Sequence, residues 1–292
     1  MKVADDAPIE QRRAAMDKLD MIPRPRKVDY VDTFVGGIPA IVATPTAARP
    51  DRHILYIHGG AYVVGSPKSH IGMCARLAKR AAATVTVIDY RLAPEHVYPA
   101  AIDDCVAAYR AIIADIDPSL VTIAGDSAGG GAALATLGAL KAAGDPMPGA
   151  VYLLSPWADL TASGESVVTR APYDPMFDGD GLIEAATTYA GDTPLDHPGV
   201  SPLFADPTGY PPTLIQTGMD EILLSDSTRL AERYESFGVD VRLDLRDDLW
   251  HVYPILAGYM PEATDALVRA AVFIRERTPA PMPSSDKVVV PT

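Results

Sequence analysis

The stretch LVTIAGDSAGGGAALATLGAL, residues 120–140, decides how this chain is expected to fold. It begins with an apolar run of strand length and ends with a Gly/Ala-rich run typical of a buried helix. Between the two runs, GDSAG at 125–129 places Ser127 at a sharp strand-to-helix turn, where a serine Oγ is exposed at the edge of a sheet. Gly125 and Gly129 are expected because a Cβ at either position would collide with a neighbouring element. The alternative is a serine that only caps the helix, with glycines present for packing.

Apolar runs of strand length alternate with helical stretches along most of the chain. This alternation predicts an α/β fold in which a mostly parallel sheet is covered by helices on both faces. The first two runs, which are joined by Gly36-Gly37, are expected to form an antiparallel hairpin instead. With 292 residues, the chain is long for one domain and short for two, so we expect a single domain over 1–292. The predicted strands are 28–34, 38–45, 53–59, 84–90, 120–126, 149–155, 212–218 and 240–246, and the predicted helices lie near 69–82, 99–114, 128–143, 226–237 and 262–276.

Three segments depart from the alternation of strands and helices. Residues 1–27 are polar and helical in character, and they end in the helix-breaking run IPRPR at 22–26. The connection from Ser155 to Pro212 is too long for a simple crossover, which indicates an inserted subdomain. The tail at 278–292 has the composition of a flexible end.

The run HGGAY at 58–62 follows a predicted strand directly. Backbone N–H groups in such a glycine-rich loop can point at a negative charge that develops on a reacting oxygen. The amide of Ala128 suits the same role, because the first N–H groups of a helix lack intrahelical partners. Alone, HGGAY would be a simple glycine turn, but beside the serine motif it favours an oxyanion hole. His58 is better explained as a brace for this loop than as a catalytic base.

A serine nucleophile needs a base that takes its proton and an acid that orients the base. Among the six histidines, only His251 lies after the serine, beyond a late strand and outside the predicted insertion. Asp220, just beyond the predicted strand 212–218, is the candidate acid. Glu221 in the same turn is its rival, whereas Asp226 fits better in the first turn of the next helix.

Composition excludes several classes of protein. The chain has 25 Lys and Arg against 38 Asp and Glu, a net charge of −13, so nucleic acid and anionic membrane surfaces are not expected partners. The apolar stretch 128–140 is too short to span a bilayer. With only Cys74 and Cys105 and no apolar signal segment near the start, a reducing cytoplasm is expected. No metal-binding spacing is present, and neither a metal nor a cofactor is expected.

Five motifs, taken together, resemble those of the hormone-sensitive-lipase-like carboxylesterases, the bacterial family IV esterases of the α/β-hydrolase fold. HGGAY is similar to the HGGG-type oxyanion loop of that family, and GDSAGG at 125–130 is similar to its nucleophile elbow. DYRLAPEHVYPAAIDD at 89–104 resembles the family's YRLAPE…FPA segment. SPWADL at 155–160 and GMDEILLSDS at 218–227 resemble the stretch after the sixth strand and the acid loop. The occurrence of all five in order is far more specific than any one of them.

The resemblance implies a set of roles and an architecture. It implies an eight-stranded sheet under a helical cap built from 1–27 and 156–211. It also implies hydrolysis of a small-molecule ester, with short acyl chains favoured, through an acyl-serine intermediate. The implied site residues are the nucleophile Ser127, the acid Asp220, the base His251, and an oxyanion hole formed by the amides of Gly60, Ala61 and Ala128.

This chain departs from the family pattern at two places. Ala61 stands where the family usually has a third glycine, and its methyl group narrows the room for bulky alcohol groups. His251 is followed by Val252 and Tyr253, where many members have a small residue and then Phe.

Structural support rather than chemistry is expected from five residues near the motifs. Arg91 and Glu95 could be mistaken for an acid–base pair, but their position before a Pro-led helix suggests a salt-bridge and hydrogen-bond node near the serine turn. The other three residues are His58, Gly59 and Asp126.

The sequence also offers candidates for a substrate pocket. Apolar residues of the expected cap and of the motifs are candidate walls of a substrate pocket, although packing within the cap explains the cap residues equally well. These candidates are Met21, Ile22, Tyr62, Tyr173, Met176, Phe177, Leu182, Tyr189 and Val252. The same triad would serve a lactone, carbamate or amide hydrolase, and a non-catalytic receptor of this fold is a further alternative.

The strand predicted at 240–246 is the last one in the chain and is expected at an edge of the sheet. An edge strand presents unpaired backbone N–H and C=O groups to solvent. Pairing with the same strand of a second copy would give a homodimer.

Overall fold

The computed structural model describes residues 7–21, 23–177 and 180–279. Its strands are β1 (Val28–Val35), β2 (Ile38–Pro45), β3 (His53–Ile57), β4 (Thr84–Ile88), β5 (Val121–Asp126), β6 (Ala150–Leu154), β7 (Thr213–Gly218) and β8 (Val241–Arg246). They form one eight-stranded sheet in the order β1-β2-β4-β3-β5-β6-β7-β8. β2 is antiparallel to both β1 and β4, and the remaining neighbours from β4 to β8 are parallel. The predicted α/β-hydrolase sheet and its hairpin are therefore confirmed.

Helices cover both faces of the sheet. They are α1 (Ile9–Met16), α2 (Pro67–Ala81), α3 (Ala100–Ile113), α4 (Ala128–Ala143), α5 (Ser166–Thr169), α6 (Asp180–Ala190), α7 (Leu224–Ser236) and α8 (Pro261–Arg277). α2 and α8 contribute to one buried apolar cluster, and α3, α4 and α7 contribute to the other. Side chains along a strand point alternately to opposite faces, so Ile54 and Tyr56 of β3 join the first cluster while Leu55 and Ile57 join the second. β3 is consequently buried along its whole length.

Three of the parallel strands end earlier than predicted at the edge of the sheet that carries the motifs, whereas β5, β7 and β8 end as predicted. β3 stops at Ile57, β4 at Ile88 and β6 at Leu154, each one or two residues before the predicted end. The residues that follow are therefore loop residues. Because parallel strands have their carboxyl ends at one edge, these loops meet there.

Two segments lie outside the regular alternation of strands and helices. α1 is followed by a 3-10 turn, Asp17–Met21, before the sheet begins. The connection between β6 and β7 contains α5, α6 and the 3-10 turn Pro202–Phe204. No helix in the described ranges is both long and apolar enough to cross a bilayer.

The prediction starts the flexible tail too early in the chain, at residue 278. Thr278 is fully buried, and its carbonyl oxygen and Oγ1 accept hydrogen bonds from the Arg52 guanidinium at 2.7 and 3.0 Å. The chain is therefore fixed at Thr278, and the rest of the predicted tail from 280 onward lies outside the described residues.

Candidate active site

Ser127 occupies the turn between β5 and α4 in a strained backbone conformation, with φ +53° and ψ −125°. A non-glycine residue in such a conformation is held there by its surroundings. Here the Ser127 amide donates to the carbonyl of Leu154, and its own carbonyl accepts from the amides of Gly131 and Trp157. The side chain is partly exposed and lines a cavity.

The glycines around Ser127 allow backbones to approach closely. A Cβ on Gly125 would lie 2.3 Å from the carbonyl oxygen of Gly129. A Cβ on Gly129 would lie 2.1 Å from the carbonyl oxygen of Ile57 at the end of β3. Both positions therefore exclude larger residues, as the sequence indicated.

The HGGAY loop runs beside the serine turn. Gly60 and Ala61 line the same cavity as Ser127, and no described group accepts a hydrogen bond from their backbone amides. Gly60, with φ +124°, has no room for a Cβ, which would lie 2.1 Å from the carbonyl oxygen of Val64. Ala128 is the first residue of α4, so its amide also lacks an intrahelical acceptor. Three amides are thus available near Ser127.

His58 is buried at the start of this loop. Its Nδ1 lies 2.8 Å from the carbonyl oxygen of Gly59, and its ring stacks on Tyr90 with centroids 4.3 Å apart. The hydroxyl of Tyr90 donates to the carbonyl of His58 at 2.7 Å. Burial lowers the pKa of His58 to about 3, so the ring is neutral and braces the loop.

Asp126 ties the HGGAY loop to β3 and α2. Its carboxylate accepts hydrogen bonds from the Tyr56 hydroxyl at 2.9 Å and the Gly59 amide at 3.1 Å, and it lies 3.3 Å from His70 Nε2. Burial lowers the pKa of His70, but the charge and hydrogen bond of Asp126 outweigh it, so the net shift is upward. Burial likewise opposes ionisation of Asp126, yet its pKa is lowered by His70 and Tyr56. The two groups form a buried ion pair beneath the loop.

Glu221, not Asp220, contacts His251. His251 is buried, and its Nδ1 lies 3.2 Å from Glu221 Oε1. The other carboxylate oxygen of Glu221 accepts from the Ser155 hydroxyl at 2.7 Å and from the Gly218 amide at 3.1 Å. The carboxylate is therefore buried but fully hydrogen-bonded.

The position of Asp220 contradicts its predicted role as the acid. Its side chain is 32% exposed and lies 3.9 Å from Arg170, whereas Glu221 is buried one residue later. The Asp220 amide donates to the carbonyl of Leu249, which fixes the turn after β7. In this turn, consecutive side chains point in different directions, and only the longer Glu221 reaches the imidazole.

Ser155 is the positioning residue that sequence reasoning missed. It follows β6 with a φ of +46° and is fully buried. Its Oγ donates to Glu221 and accepts from the amide of Val252 at 3.2 Å, so it links the acid to the residue after His251. The only signal in the sequence was its place at the start of SPWADL, directly after a buried strand.

Asp226 lies in the first turn of α7, as its place in the sequence suggested. It is buried, and it accepts hydrogen bonds from the amides of Ala158 and Asp159 at 2.8 Å each. Burial raises the pKa of Asp226 to about 7, despite these two amides. Its role is to hold the SPWADL segment against α7.

Arg91 and Glu95 each form a salt bridge, but with different partners. Arg91 pairs with Asp104 on α3, with atoms 2.7 Å apart. Glu95 pairs with Arg13 of α1, also at 2.7 Å. Both still have structural contacts, but each residue joins a different helix to the segment before α3.

The candidate residues surround a cavity of about 600 Å³. Its described walls come from α1 and the turn after it, the HGGAY loop, α2, the serine turn, the β6–β7 connection, the loop after β7 and the loop around His251. They are mainly apolar: Ala15, Met16, Leu19, Ala61, Val64, Trp157, Met176, Phe177, Leu182, Leu223, Val252 and Ile255. In the described part of the chain, no cluster of His, Cys, Asp and Glu is arranged to hold a metal ion.

The predicted pocket residues are only partly gathered at this cavity. Four of them line it, and the ring of Phe177 meets that of His251 edge-on at 5.1 Å. Tyr62 and Tyr189 instead stack on each other, 3.6 Å apart and buried, and Tyr173 is 63% exposed away from the cavity. The side chain of Met21 and the whole of Ile22 lie outside the described residues. The four lining residues are Met176, Phe177, Leu182 and Val252.

Comparison with known proteins places this chain in a family. Residues 54–255 match the family described as alpha/beta hydrolase fold. The chain belongs to this family. Among its relatives is an acetyl-hydrolase of Streptomyces hygroscopicus, 41% identical over 233 residues, which covers 79% of this chain and 78% of the relative.

An esterase of Acinetobacter venetianus is 40% identical over 229 residues, 77% of this chain and 75% of the relative. A crystal structure of a hormone-sensitive lipase from a metagenome library has a TM-score of 0.92 and 40% identity, and the match covers 95% of this chain and 94% of that one. The resemblance to the hormone-sensitive-lipase-like group of alpha/beta hydrolases is therefore confirmed.

Proposed function

We propose that this protein is a serine carboxylesterase that hydrolyses short-chain carboxylic esters through an acyl-Ser127 intermediate. The observation that carries the proposal is one cavity lined by a strained serine, a buried histidine paired with a carboxylate, and two backbone amides without acceptors. The names of its relatives, acetyl-hydrolase and esterase, support the same reaction.

In this mechanism, His251 is the base. Because its Nδ1 is hydrogen-bonded to Glu221, its Nε2 is the nitrogen that takes the proton from the Ser127 hydroxyl. The serine oxygen then attacks the ester carbonyl, and the amides of Gly60, Ala61 and Ala128 stabilise the oxyanion. The intermediate collapses when His251 returns the proton to the leaving alcohol. Water, deprotonated by His251, hydrolyses the acyl-serine and restores the enzyme.

Glu221 is the acid of the proposed triad. Its carboxylate holds the imidazole in one tautomer and stabilises the imidazolium that forms during catalysis. Ser155 and the Gly218 amide orient the carboxylate through its other oxygen. Asp220, which faces Arg170 instead, has no part in the reaction.

We further propose that residues 1–27 and 156–211 form a cap over one hydrolase domain. In support, residues of α1 line the cavity together with Met176, Phe177 and Leu182 of the β6–β7 connection. A mainly apolar space of about 600 Å³ suits a small ester.

Neither Cys74 nor Cys105 forms a disulfide, which supports a reducing compartment such as the cytoplasm.

Labelling with a fluorophosphonate tests the nucleophile. The expected result is a single covalent mass shift on the wild-type protein, absent in Ser127→Ala, together with hydrolysis of p-nitrophenyl butyrate that is lost in the same variant. Ser236→Ala, at the exposed end of α7, is the matched control and should label and turn over normally. Labelling or turnover that persists in Ser127→Ala would contradict the proposal.

We also propose a homodimer through β8. This strand ends the sheet, and its Leu243 side chain is 37% exposed. Antiparallel pairing of two copies would satisfy the open edge. Light scattering should give twice the chain mass for the wild type and one chain mass for Leu243→Lys. A wild-type monomer at high protein concentration would refute the dimer.

A further inference from the structure

Two consecutive arginines on α1 have different surroundings. The guanidinium of Arg13 pairs with Glu95 and donates to the carbonyls of Val63 and Ala93. Arg12, one residue earlier, is half-buried and lines the candidate active-site cavity. None of the described residues accepts a hydrogen bond or forms an ion pair with the guanidinium of Arg12. One arginine thus anchors the helix, and the other faces the space where substrate would lie.

Lys18 adds a second positive charge to the same cavity. It lies on the 3-10 turn after α1, and its side chain is exposed. His251, which lines the same cavity, is only 3% exposed, whereas Lys18 lies where the cavity meets solvent.

The described walls of the cavity contain little negative charge to oppose these cations. Asp126 is the only carboxylate among the described lining residues, and it is paired with His70. On the same segment as Lys18, Asp17 accepts a hydrogen bond from the Ser66 hydroxyl, on the N-terminal side of α2. The described lining of the cavity is therefore locally positive in a protein whose net charge is −13.

Apart from these cations, most of the described lining residues of the cavity are apolar. Met16, Leu19, Val64 and Ile255 line this cavity together with Ser127. Such a wall suits an ester whose reacting group is joined by an aliphatic or aromatic spacer to a second group. A carboxylate as that second group matches the planar guanidinium of Arg12 better than a neutral group does.

We propose that the preferred substrates are esters that carry a carboxylate, which Arg12 binds with the help of Lys18. This inference rests on the proposed esterase function and names its substrate class. Arg12 and Lys18 determine specificity through binding and take no part in the bond-breaking steps.

Matched pairs of esters test the proposal. Monoethyl glutarate against ethyl pentanoate places the carboxylate on the acyl side, and para-acetoxybenzoate against phenyl acetate places it on the alcohol side. The wild type should show the higher kcat/KM for the charged ester in at least one pair, and that pair identifies the side of the ester that faces Arg12. The preference should weaken as salt is added, because the cations are partly exposed.

The double variant Arg12→Gln with Lys18→Gln should lose this preference. We expect a rise of about tenfold or more in KM for the charged ester with little change in kcat, because a charge-assisted hydrogen bond to the ground state and transition state alike is removed. The neutral ester should be unaffected. Lys27→Gln, which removes an exposed positive charge that does not line the cavity, is the matched control and should behave as the wild type.

Two results would overturn the proposal. The first is equal kcat/KM for charged and neutral esters in the wild type. The second is an equal loss on both esters in the double variant, which would make Arg12 and Lys18 structural residues of α1 and its turn. Failure of the proposed function is a separate result. In that case the wild type would hydrolyse neither member of either pair, or Ser127→Ala would retain turnover. The proposed substrate class would then be wrong as well.

Discussion

At the scale of single residues, two opposing effects set the protonation of His251. Burial lowers its pKa, but the hydrogen bond and the charge of Glu221 raise it, with smaller contributions from Asp174 and Asp126. The net shift is upward from 6.5. A general base must be neutral, so activity should be lost as the pH falls through a pKa above 6.5.

Replacement of Glu221 by Gln tests whether Glu221, rather than the neighbouring Asp220, is the acid of the triad. We expect Glu221→Gln to lower kcat/KM by roughly 10²–10⁴-fold, because the tautomer and the imidazolium lose their partner. The remaining activity should have its acid limb at lower pH, because the charge that raised the His251 pKa is gone. The measurement is the pH profile of kcat/KM on p-nitrophenyl butyrate.

Asp220→Asn is the matched control for this experiment. It removes a carboxylate from the same turn, but one that faces Arg170, so the rate and the acid limb should stay as in the wild type. Loss of activity in Asp220→Asn with activity retained in Glu221→Gln would restore Asp220 as the acid.

We expect the methyl group of Ala61 to limit the size of the alcohol group that fits beside the proposed oxyanion hole. Ala61 lines the cavity at a φ of +54°, a conformation that glycine adopts without strain. We expect Ala61→Gly to raise kcat/KM for tert-butyl acetate relative to ethyl acetate by about tenfold, because room for one methyl group is worth that much in a tight site. Ala162→Gly, at a φ of +53° and away from the cavity, is the control for backbone effects. An unchanged ratio in Ala61→Gly would show that another group limits the alcohol.

At the scale of elements, α1 depends on contacts outside its own helix. None of its residues is buried, and Pro8 at its N-cap makes no side-chain capping bond. Its connection to the rest of the protein includes Arg13, which binds Glu95 and two backbone carbonyls. One side chain therefore contributes strongly to holding a wall of the cavity in place.

Removal of this contact should loosen α1 selectively. In Arg13→Gln, we expect amide hydrogen exchange over residues 9–21 to become several-fold faster. We also expect KM for ester substrates to rise, because α1 would spend less time in its place at the wall of the cavity. Exchange in β3 to β7 should not change. Arg110→Gln removes a comparable ion pair, with Asp145, far along α3 and should leave both readouts as they are. Unchanged exchange over 9–21 in Arg13→Gln would show that other contacts hold α1.

At the scale of the whole molecule, buried histidines link stability to pH. His53 lies on β3 with its Nε2 2.8 Å from Thr86 Oγ1, and burial lowers its pKa to about 4. In the unfolded chain the same group titrates near 6.5. The unfolded state therefore binds the proton first, and the stability from this residue is lost as the pH falls from about 6.5 towards 4.

His53→Gln isolates this effect from those of the other histidines. The wild type should lose up to about 1.4 kcal/mol of unfolding free energy per pH unit relative to the variant between those two pKa values. Urea unfolding of both proteins at several pH values measures the difference. Two curves that stay parallel throughout that range would show that His53 does not contribute to acid destabilisation.

The sequence alone was enough to predict the α/β sheet, the order of its elements along the chain, and three parts of the site: the serine turn, the HGGAY loop and His251. Each of these depends on local patterns: hydrophobic periodicity, glycines where backbones must approach closely, and a serine between a strand and a helix. Ser127, the HGGAY loop and His251 each follow a strand, and parallel strands have their carboxyl ends at one edge of the sheet.

Only the tertiary structure decided which acidic residue faces His251. Asp220 and Glu221 are neighbours in one turn, and the direction of each side chain depends on the loop at 247–252, which is distant in the chain. The same holds for Ser155, for the partners of Arg91 and Glu95, and for the burial of Tyr62 against Tyr189. Local sequence patterns report how a segment folds, whereas the partner of a side chain is set by packing between segments that only the folded chain brings together.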